Sequence, residues 1–168
     1  MAKATQNPPL AEMSLVELSP RLARILPHHA GFDGWGDKAV DSAAQELGVD
    51  PSVARLCFEG DRVAMIDAWF ASIDEDMLAV LPSDKLAAMK IRERITALVE
   101  ARLDLAKPHR EALRRALAIL AFPGNAPRGV QLGWRAADAM WRAAGDTATD
   151  YNHYTKRAIL GSVYGATL

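Results

Sequence analysis

The sequence predicts an all-α fold, a bundle of about eight helices, from the spacing of its apolar residues and the places where that spacing is interrupted. Apolar residues recur at helical spacing along most of the chain, and no run alternates between apolar and polar residues as a half-buried strand would. The interruptions fall at proline and glycine, which end helices for steric reasons. With 168 residues, the chain is long enough for one well-buried domain and too short for two ordinary ones.

Residues 1–60 are predicted to form a tail followed by helices. The tail, residues 1–9, contains two prolines and few apolar groups, so we expect it to be flexible. The helices that follow have proline or glycine at their limits: 14–26 before Pro27, 35–47 before Gly48, and 51–60 starting at Pro51. The last two helices and the turn between them have the lengths of a helix-turn-helix, so residues 10–60 are interpreted as a helix-turn-helix-like unit.

Residues 61–168 are predicted to continue as one helical region. Its helices are expected between prolines or polar loops: 61–81, 85–106, 109–121, 128–144 and 149–168. The helix over 128–144 is apolar over most of its circumference, which favours a central position in the bundle. On the last helix, Ala158, Gly161 and Gly165 indicate a close contact with another helix, inside the fold or across a dimer.

The distribution of charge argues against binding of nucleic acid. The formal net charge is −1, and residues 1–60 hold five Lys or Arg against eight Asp or Glu. The local charge of −3 is opposite to what phosphate neutralisation requires. Residues 83–115 hold nine basic and five acidic residues, a local charge of +4. This stretch is either a solvated face of local ion pairs or a surface for anionic headgroups or an acidic partner.

The sequence contains no recognisable catalytic or metal-binding motif. His28 and His29 are adjacent and have no cysteine or carboxylate at ligand spacing. Phosphate-binding loops, dinucleotide-binding glycine turns and serine nucleophile elbows are absent from the sequence. Cys57 is the only cysteine, which excludes an intrachain disulfide and favours a reducing compartment. We therefore expect a protein that is not an enzyme and that uses no metal or organic cofactor.

The stretch 141–157 predicts a polar, aromatic corner between the last two helices. Gly145 can adopt the left-handed turn that ends the first of them. Residues 146–150 then hold Asp or Thr at four of five positions, more capping-type residues than one helix start needs. His153 and Tyr154 follow at once. Core packing alone does not require this combination, which indicates a docking site.

The same stretch carries a resemblance to a known family. AGDTATDYNHYTKRAIL at 144–160 resembles the signature of the ubiquinone-biosynthesis accessory proteins, whose fold is that of TetR-type regulators. FDGW at 32–35, AAQELGV at 43–49 and HREALRRALAILAFPGN at 109–125 are similar to further parts of that family, so the resemblance extends over residues 25–167. It departs at His153, where the family usually has tryptophan.

The resemblance implies a fold and a function. It implies a TetR-regulator-like bundle, usually a homodimer, in which the helix-turn-helix-like unit no longer binds DNA and residues 61–168 form the lipid-binding and dimerisation region. It implies a cavity that holds an isoprenoid lipid, a quinone precursor or a phospholipid. It also implies an accessory role in ubiquinone biosynthesis, in which the protein binds the di-iron hydroxylase of the pathway and presents the lipid substrate to it.

Individual positions follow from the resemblance. The residues expected to contact the hydroxylase are Met140, Trp141, Asp150, His153, Tyr154 and Arg157. The residues expected to line the lipid cavity are Phe70, Leu98, Leu120 and Trp134. Family members carry a further amphipathic helix beyond the position of Leu168 that lies on the membrane, so membrane contact is expected to be weak without it.

Other interpretations remain open at this point. One is a TetR-type ligand-responsive transcriptional regulator, against which the acidic charge of residues 1–60 argues. Another is an interaction protein whose core is filled and holds no ligand. The single cysteine and the absence of a targeting pattern at the N-terminus predict a cytoplasmic protein. The resemblance adds the expectation of a bacterial protein with peripheral contact to the inner membrane.

Overall fold

The predicted all-α fold is confirmed by a computed structural model, which describes residues 13–146 and 151–168. The predicted tail, residues 1–9, lies outside this range. The helices of the described part are α1 (Leu15–Asp33), α2 (Asp37–Leu47), α3 (Pro51–Leu56), α4 (Arg62–Val80), α5 (Ser83–Ala87), α6 (Ile91–Ala106), α7 (Arg110–Ala121), α8 (Ala126–Ala143) and α9 (Tyr151–Thr167). A short 3-10 turn, Lys107–His109, joins α6 to α7. The arrangement is compatible with the predicted TetR-like bundle.

The first helix does not end near Pro27, as the sequence predicted. It begins with Ser14, whose hydroxyl accepts the backbone N–H of Glu17, and runs through Pro20 and Pro27 to Asp33. Proline removes one backbone hydrogen bond from a helix. Pro27 is buried, however, and α1 packs against α2, α4 and α7. We infer that burial of apolar surface along this helix outweighs the local cost of its prolines.

The long helix predicted over 85–106 is two helices instead. The backbone of Lys90 is extended, with φ −69° and ψ 155°, and it separates α5 from α6. The carboxylate of Glu93 accepts the backbone N–H of Lys90 at 2.9 Å, which stabilises the start of α6. Glu93, three positions after Lys90, is therefore the local sequence signal that a new helix starts at Ile91.

Two clusters of buried side chains form the core. The first cluster joins α1, α2, α3, α4 and α7, and at its centre the rings of Trp35 and Trp69 lie 5.4 Å apart. Trp35 Nε1 also donates a hydrogen bond of 2.9 Å to the carbonyl oxygen of Ala112 on α7. The second cluster joins the end of α4 to α6, α8 and α9 and includes Leu98 and Met140. α8 contributes to both clusters and therefore has the central position that its apolar circumference predicted.

The histidine at the start of α7 gives the first cluster a dependence on pH. Burial lowers the pKa of His109 below its ordinary value of 6.5, and the neighbouring His28 lowers it further. The unfolded chain therefore binds more protons than the folded protein, so stability rises with pH in this range. We expect the free energy of unfolding to be constant above pH 6.5 and to fall as the pH drops through the folded-state pKa.

Denaturant titrations between pH 8 and pH 5 measure this dependence. The substitution His109→Gln should flatten the part of the curve below pH 6.5, the ordinary pKa of histidine. A variant that loses stability on acidification as steeply as the unsubstituted protein would show that other groups cause the decline.

Candidate functional site: an apolar cavity with two buried arginines

A cavity of about 840 Å³ lies where the two core clusters meet. Helices α4, α6, α7, α8 and α9 all contribute to its wall, and most of the lining side chains are apolar. Phe70, Leu120 and Trp134, which were predicted to surround a lipid, are among them. Val130 also lines the cavity and is 74% exposed, so the cavity reaches the protein surface beside α8.

Glycines on α8 and α9 shape this cavity. A Cβ atom at Gly129 would lie 3.2 Å from the carbonyl oxygen of Leu120, so α8 approaches α7 closely at that level. A Cβ atom at Gly133 or at Gly165 would meet no atom within 4 Å, although both residues line the cavity. Glycine thus permits close helix packing at one end of α8 and leaves the next turn open.

Arg102 is a charged residue in the otherwise apolar wall. Its side chain is 1% exposed, forms an ion pair with Asp74 on α4, and lies 5.2 Å from the ring centre of Tyr164 on α9. The Nε atom of Arg102 is buried and has no hydrogen-bond partner within the described parts of the chain. Buried donors are nearly always paired in native proteins, so this atom is an unsatisfied donor on a residue that lines the cavity.

Arg157 is the second buried arginine that lines the cavity, and its side chain is also 1% exposed. Its Nε atom donates to Asp138 on α8 at 2.5 Å, and one terminal nitrogen donates to Asp146 at 3.1 Å. The same nitrogen donates to the carbonyl oxygen of His153 at 3.1 Å. These bonds join the first turns of α9 to the end of α8 and to the turn that follows it.

A second layer of contacts surrounds this arginine. Lys156 Nζ lies 2.8 Å from Asp146, and Arg142 Nε lies 2.7 Å from Asp138. Trp141 Nε1 donates to the carbonyl oxygen of Lys156 at 3.1 Å. Each buried carboxylate therefore has a second, more exposed cation, and the corner between α8 and α9 is held by ion pairs as well as by apolar packing.

Two residues predicted to face a partner lie inside the protein. Met140 is fully buried in the second cluster, because it lies on the same side of α8 as the buried Leu132 and Ala136. Arg157 is buried because Asp138 and Asp146 draw its guanidinium inward. A surface position for Met140 and Arg157 is therefore wrong.

The other residues of the predicted docking corner are closer to solvent. Tyr154 is 61% exposed, while Trp141 and His153 are half-buried. The ring of Tyr154 lies 5.1 Å from that of His153 and 6.1 Å from that of Trp134, which lines the cavity. Asp150 lies outside the described residues. Binding of a protein at this corner stays a prediction.

One residue predicted to line the cavity lies elsewhere, and one residue that lines it was not predicted. Leu98 is fully buried in the second cluster and does not line the cavity, so its assignment to the cavity wall is wrong. Arg102 belongs to the basic stretch 83–115, for which both interpretations placed the charges at the surface. Its side chain is buried. The sequence contained a signal for this position, because Arg102 lies four residues from both Leu98 and Ala106 and therefore shares their face of α6. All three residues are buried.

The geometry bears on metal binding, membrane spanning and DNA binding. Within residues 13–146 and 151–168, His, Cys, Asp and Glu side chains form no group of three or more that could hold a metal ion. In that same part of the chain, none of the helices combines the length and apolar character that a bilayer crossing requires. Arg55 of α3 donates to Asp41 of α2 at 2.7 Å, so the helix-turn-helix-like unit uses this cation internally. The expectation that it does not bind DNA stays a prediction.

Fold and site together define an all-α protein built around an internal apolar cavity. The COQ9 family model matches residues 126–168, a range that includes α8 and α9. The rat protein named "Ubiquinone biosynthesis protein COQ9, mitochondrial" is 33% identical over 150 residues, which are 85% of this chain and 46% of the rat protein. The chain belongs to the COQ9 family of ubiquinone-biosynthesis accessory proteins, as its sequence motifs indicated.

Further relatives agree in name. The human protein of the same name is 33% identical over 141 residues, 80% of this chain and 44% of the human protein. A Dictyostelium discoideum protein named "Probable ubiquinone biosynthesis protein coq9, mitochondrial" is 23% identical over 137 residues, 78% of this chain and 45% of its own length. The chain therefore spans a little less than half the length of these curated relatives. Their names state a biosynthetic pathway and no catalytic activity.

The predicted localisation is wrong. The relatives from rat, human, cattle and Dictyostelium are named as mitochondrial proteins of eukaryotes, which conflicts with a bacterial, cytoplasmic assignment. The cytoplasmic part of that assignment depended on a single cysteine and on the absence of a targeting pattern, and the bacterial part depended on the family resemblance. A low cysteine content indicates a reducing environment. Such an environment is not confined to one compartment, so cysteine content does not identify the cytoplasm.

Proposed function

We propose that this protein is a non-catalytic accessory protein of ubiquinone biosynthesis that binds an isoprenoid lipid or quinone precursor in the cavity between α4 and α9. The observation that carries the proposal is the cavity itself. Its volume of about 840 Å³ falls in the range of small-molecule sites, which is roughly 300–1,000 Å³. An apolar chain gains about 0.8 kcal/mol for each CH₂ group that it buries in such a wall.

Presentation of the lipid to a hydroxylase is the second part of the proposal. The exposed Tyr154 packs against Trp134, so a protein bound at the corner would lie against one wall of the cavity. Aromatic side chains that are exposed in the free protein are frequent anchors of protein interfaces. We propose that the di-iron hydroxylase of the pathway binds here and receives the lipid across this wall. The predicted homodimer is proposed without an assigned surface.

Mass spectrometry of an organic extract tests the first part. The protein is purified without detergent, and its lipid is quantified against the protein. An isoprenoid or quinone precursor at about one molecule per cavity is the expected result, as a preformed apolar pocket implies. Phospholipid alone would support lipid binding but not the proposed cargo. An extract without lipid, from protein that also fails to take up added isoprenoid, would contradict the proposal and favour an interaction protein.

Substitution at the corner tests the second part. Tyr154→Ala should weaken binding of the hydroxylase by about tenfold or more, because truncation of an interface anchor costs roughly 2 kcal/mol. Phe32→Ala is the matched control, since Phe32 is an aromatic side chain on α1 that is 88% exposed. Equal binding of the two variants in titration calorimetry would exclude Tyr154 from the interface.

A further inference from the structure

We propose that Arg102 binds the polar end of the lipid, and that its Nε–H group donates a hydrogen bond to an acceptor oxygen on an uncharged ligand. This inference rests on the proposed function, because it requires that an amphiphilic molecule occupies the cavity. It assigns to the cavity a polar subsite and to the ligand a specific chemistry: a long apolar chain that ends in a carbonyl-type oxygen.

The unpaired Nε donor of Arg102 supports this assignment. Arg102 is 1% exposed and lines the cavity, and its Nε atom has no hydrogen-bond partner among the described residues. A buried guanidinium is costly unless its donors are satisfied. The side chain itself is fixed, because Asp74 holds one end of the guanidinium and the ring of Tyr164 lies 5.2 Å from its centre. A fixed donor in an apolar wall is the arrangement that orients a ligand in a pocket.

The charge balance of the cavity wall favours an uncharged ligand. Arg102 is neutralised by Asp74, and Arg157 is paired with both Asp138 and Asp146. The wall therefore offers a hydrogen-bond donor without an excess of positive charge. A carboxylate or phosphate buried beside Arg102 would compete with Asp74, whose second cation, Arg135, lies 4.0 Å away and is already paired with Asp67. An uncharged acceptor oxygen satisfies the donor and adds no charge.

Arg102 lies away from the point where the cavity opens to the protein surface. Val130, on the first half of α8, is 74% exposed at the rim of the cavity, whereas Arg102 is buried on α6 against α4 and α9. A lipid bound in this way directs its oxygen toward the protein interior and its chain toward the surface. The apolar side chains between these two points would cover the chain.

Three probes with the same carbon skeleton test the inference: hexadecan-2-one, hexadecane and hexadecanoate. Their affinities are measured by displacement of an apolar fluorescent dye from the full chain. The ketone should bind about tenfold more tightly than the alkane, because a hydrogen bond to a charged group is worth roughly 1.4 kcal/mol or more. The ketone should also bind more tightly than the carboxylate.

A double variant separates recognition from stability. Arg102→Met combined with Asp74→Leu removes the ion pair without leaving a buried charge. The preference for the ketone over the alkane should disappear, while the affinity for the alkane stays the same. If this variant does not fold, the ¹⁵N resonance of the Arg102 Nε–H group in the unsubstituted protein gives the answer. It should shift on addition of the ketone and not on addition of the alkane.

The outcomes are distinguishable. Equal binding of ketone and alkane, or an Nε–H resonance that does not respond, would overturn the role of Arg102 and leave the lipid cavity intact. Tighter binding of hexadecanoate would overturn the assignment of an uncharged oxygen. Failure of all three probes to bind would contradict the proposed function, and the inference about Arg102 would fall with it.

Discussion

Replacing Arg157 with methionine is expected to lower the free energy of unfolding by about 2 kcal/mol, because it removes the fully buried partner of two carboxylates whose remaining cations, Arg142 and Lys156, are more exposed. Asp138 and Asp146 are 19% and 7% exposed, so neither can regain full hydration. The backbone contact with the carbonyl oxygen of His153 would be lost as well. We expect the corner between α8 and α9 to loosen before the rest of the protein unfolds.

Arg142→Met is the matched control for this prediction. Arg142 contacts the same carboxylate, Asp138, at 2.7 Å, but its side chain is 73% exposed. Exposed ion pairs contribute about 0–1 kcal/mol, so this variant should stay close to the unsubstituted protein. Urea titration followed by circular dichroism measures both variants. Similar losses for the two substitutions would mean that burial does not determine the strength of this network.

Replacing Gly133 with leucine is expected to weaken binding of any lipid in the cavity by about tenfold, a change of about 1.4 kcal/mol, because the added side chain occupies the space of the ligand. A Cβ atom at this position meets no protein atom within 4 Å, so the side chain can enter the cavity without displacing the backbone. The protein should therefore remain folded, and the loss should appear in lipid affinity and in the lipid recovered by extraction.

Gly133→Ala is the control for the leucine variant. Alanine adds only the Cβ atom, and glycine inside a helix costs about 0.5–1 kcal/mol relative to alanine. We expect a small gain in stability with lipid binding retained. Retention of full lipid affinity in the leucine variant would show that the ligand does not occupy the part of the cavity beside α8.

Several features of the fold were accessible from local patterns. The glycine cap at Gly48 adopts the left-handed conformation, with φ 71°, and ends α2 where the sequence predicted. Pro51 begins α3 at the expected position. Local rules were less reliable where packing opposed them, as in α1, which continues through Pro27 because that residue is buried and the helix packs against α2, α4 and α7.

The candidate site was only partly predictable for the same reason. The family resemblance directed attention to Phe70, Leu120 and Trp134, and the structure brings these three side chains together around one cavity. Helical periodicity identifies an apolar face but not whether the space beside it is filled. Leu98 has the same apolar character, and it is buried in a packed cluster instead.

Composition and periodicity were sufficient for the helical class of this protein, since the spacing of apolar residues along a helix is a local property. The family could also be recognised from contiguous motifs. The burial of Arg102 and Arg157, the inward position of Met140 and the cavity itself depend on contacts between helices distant in the chain. A charged side chain looks the same in sequence whether water or a carboxylate of another helix surrounds it, and only the packed structure distinguishes the two.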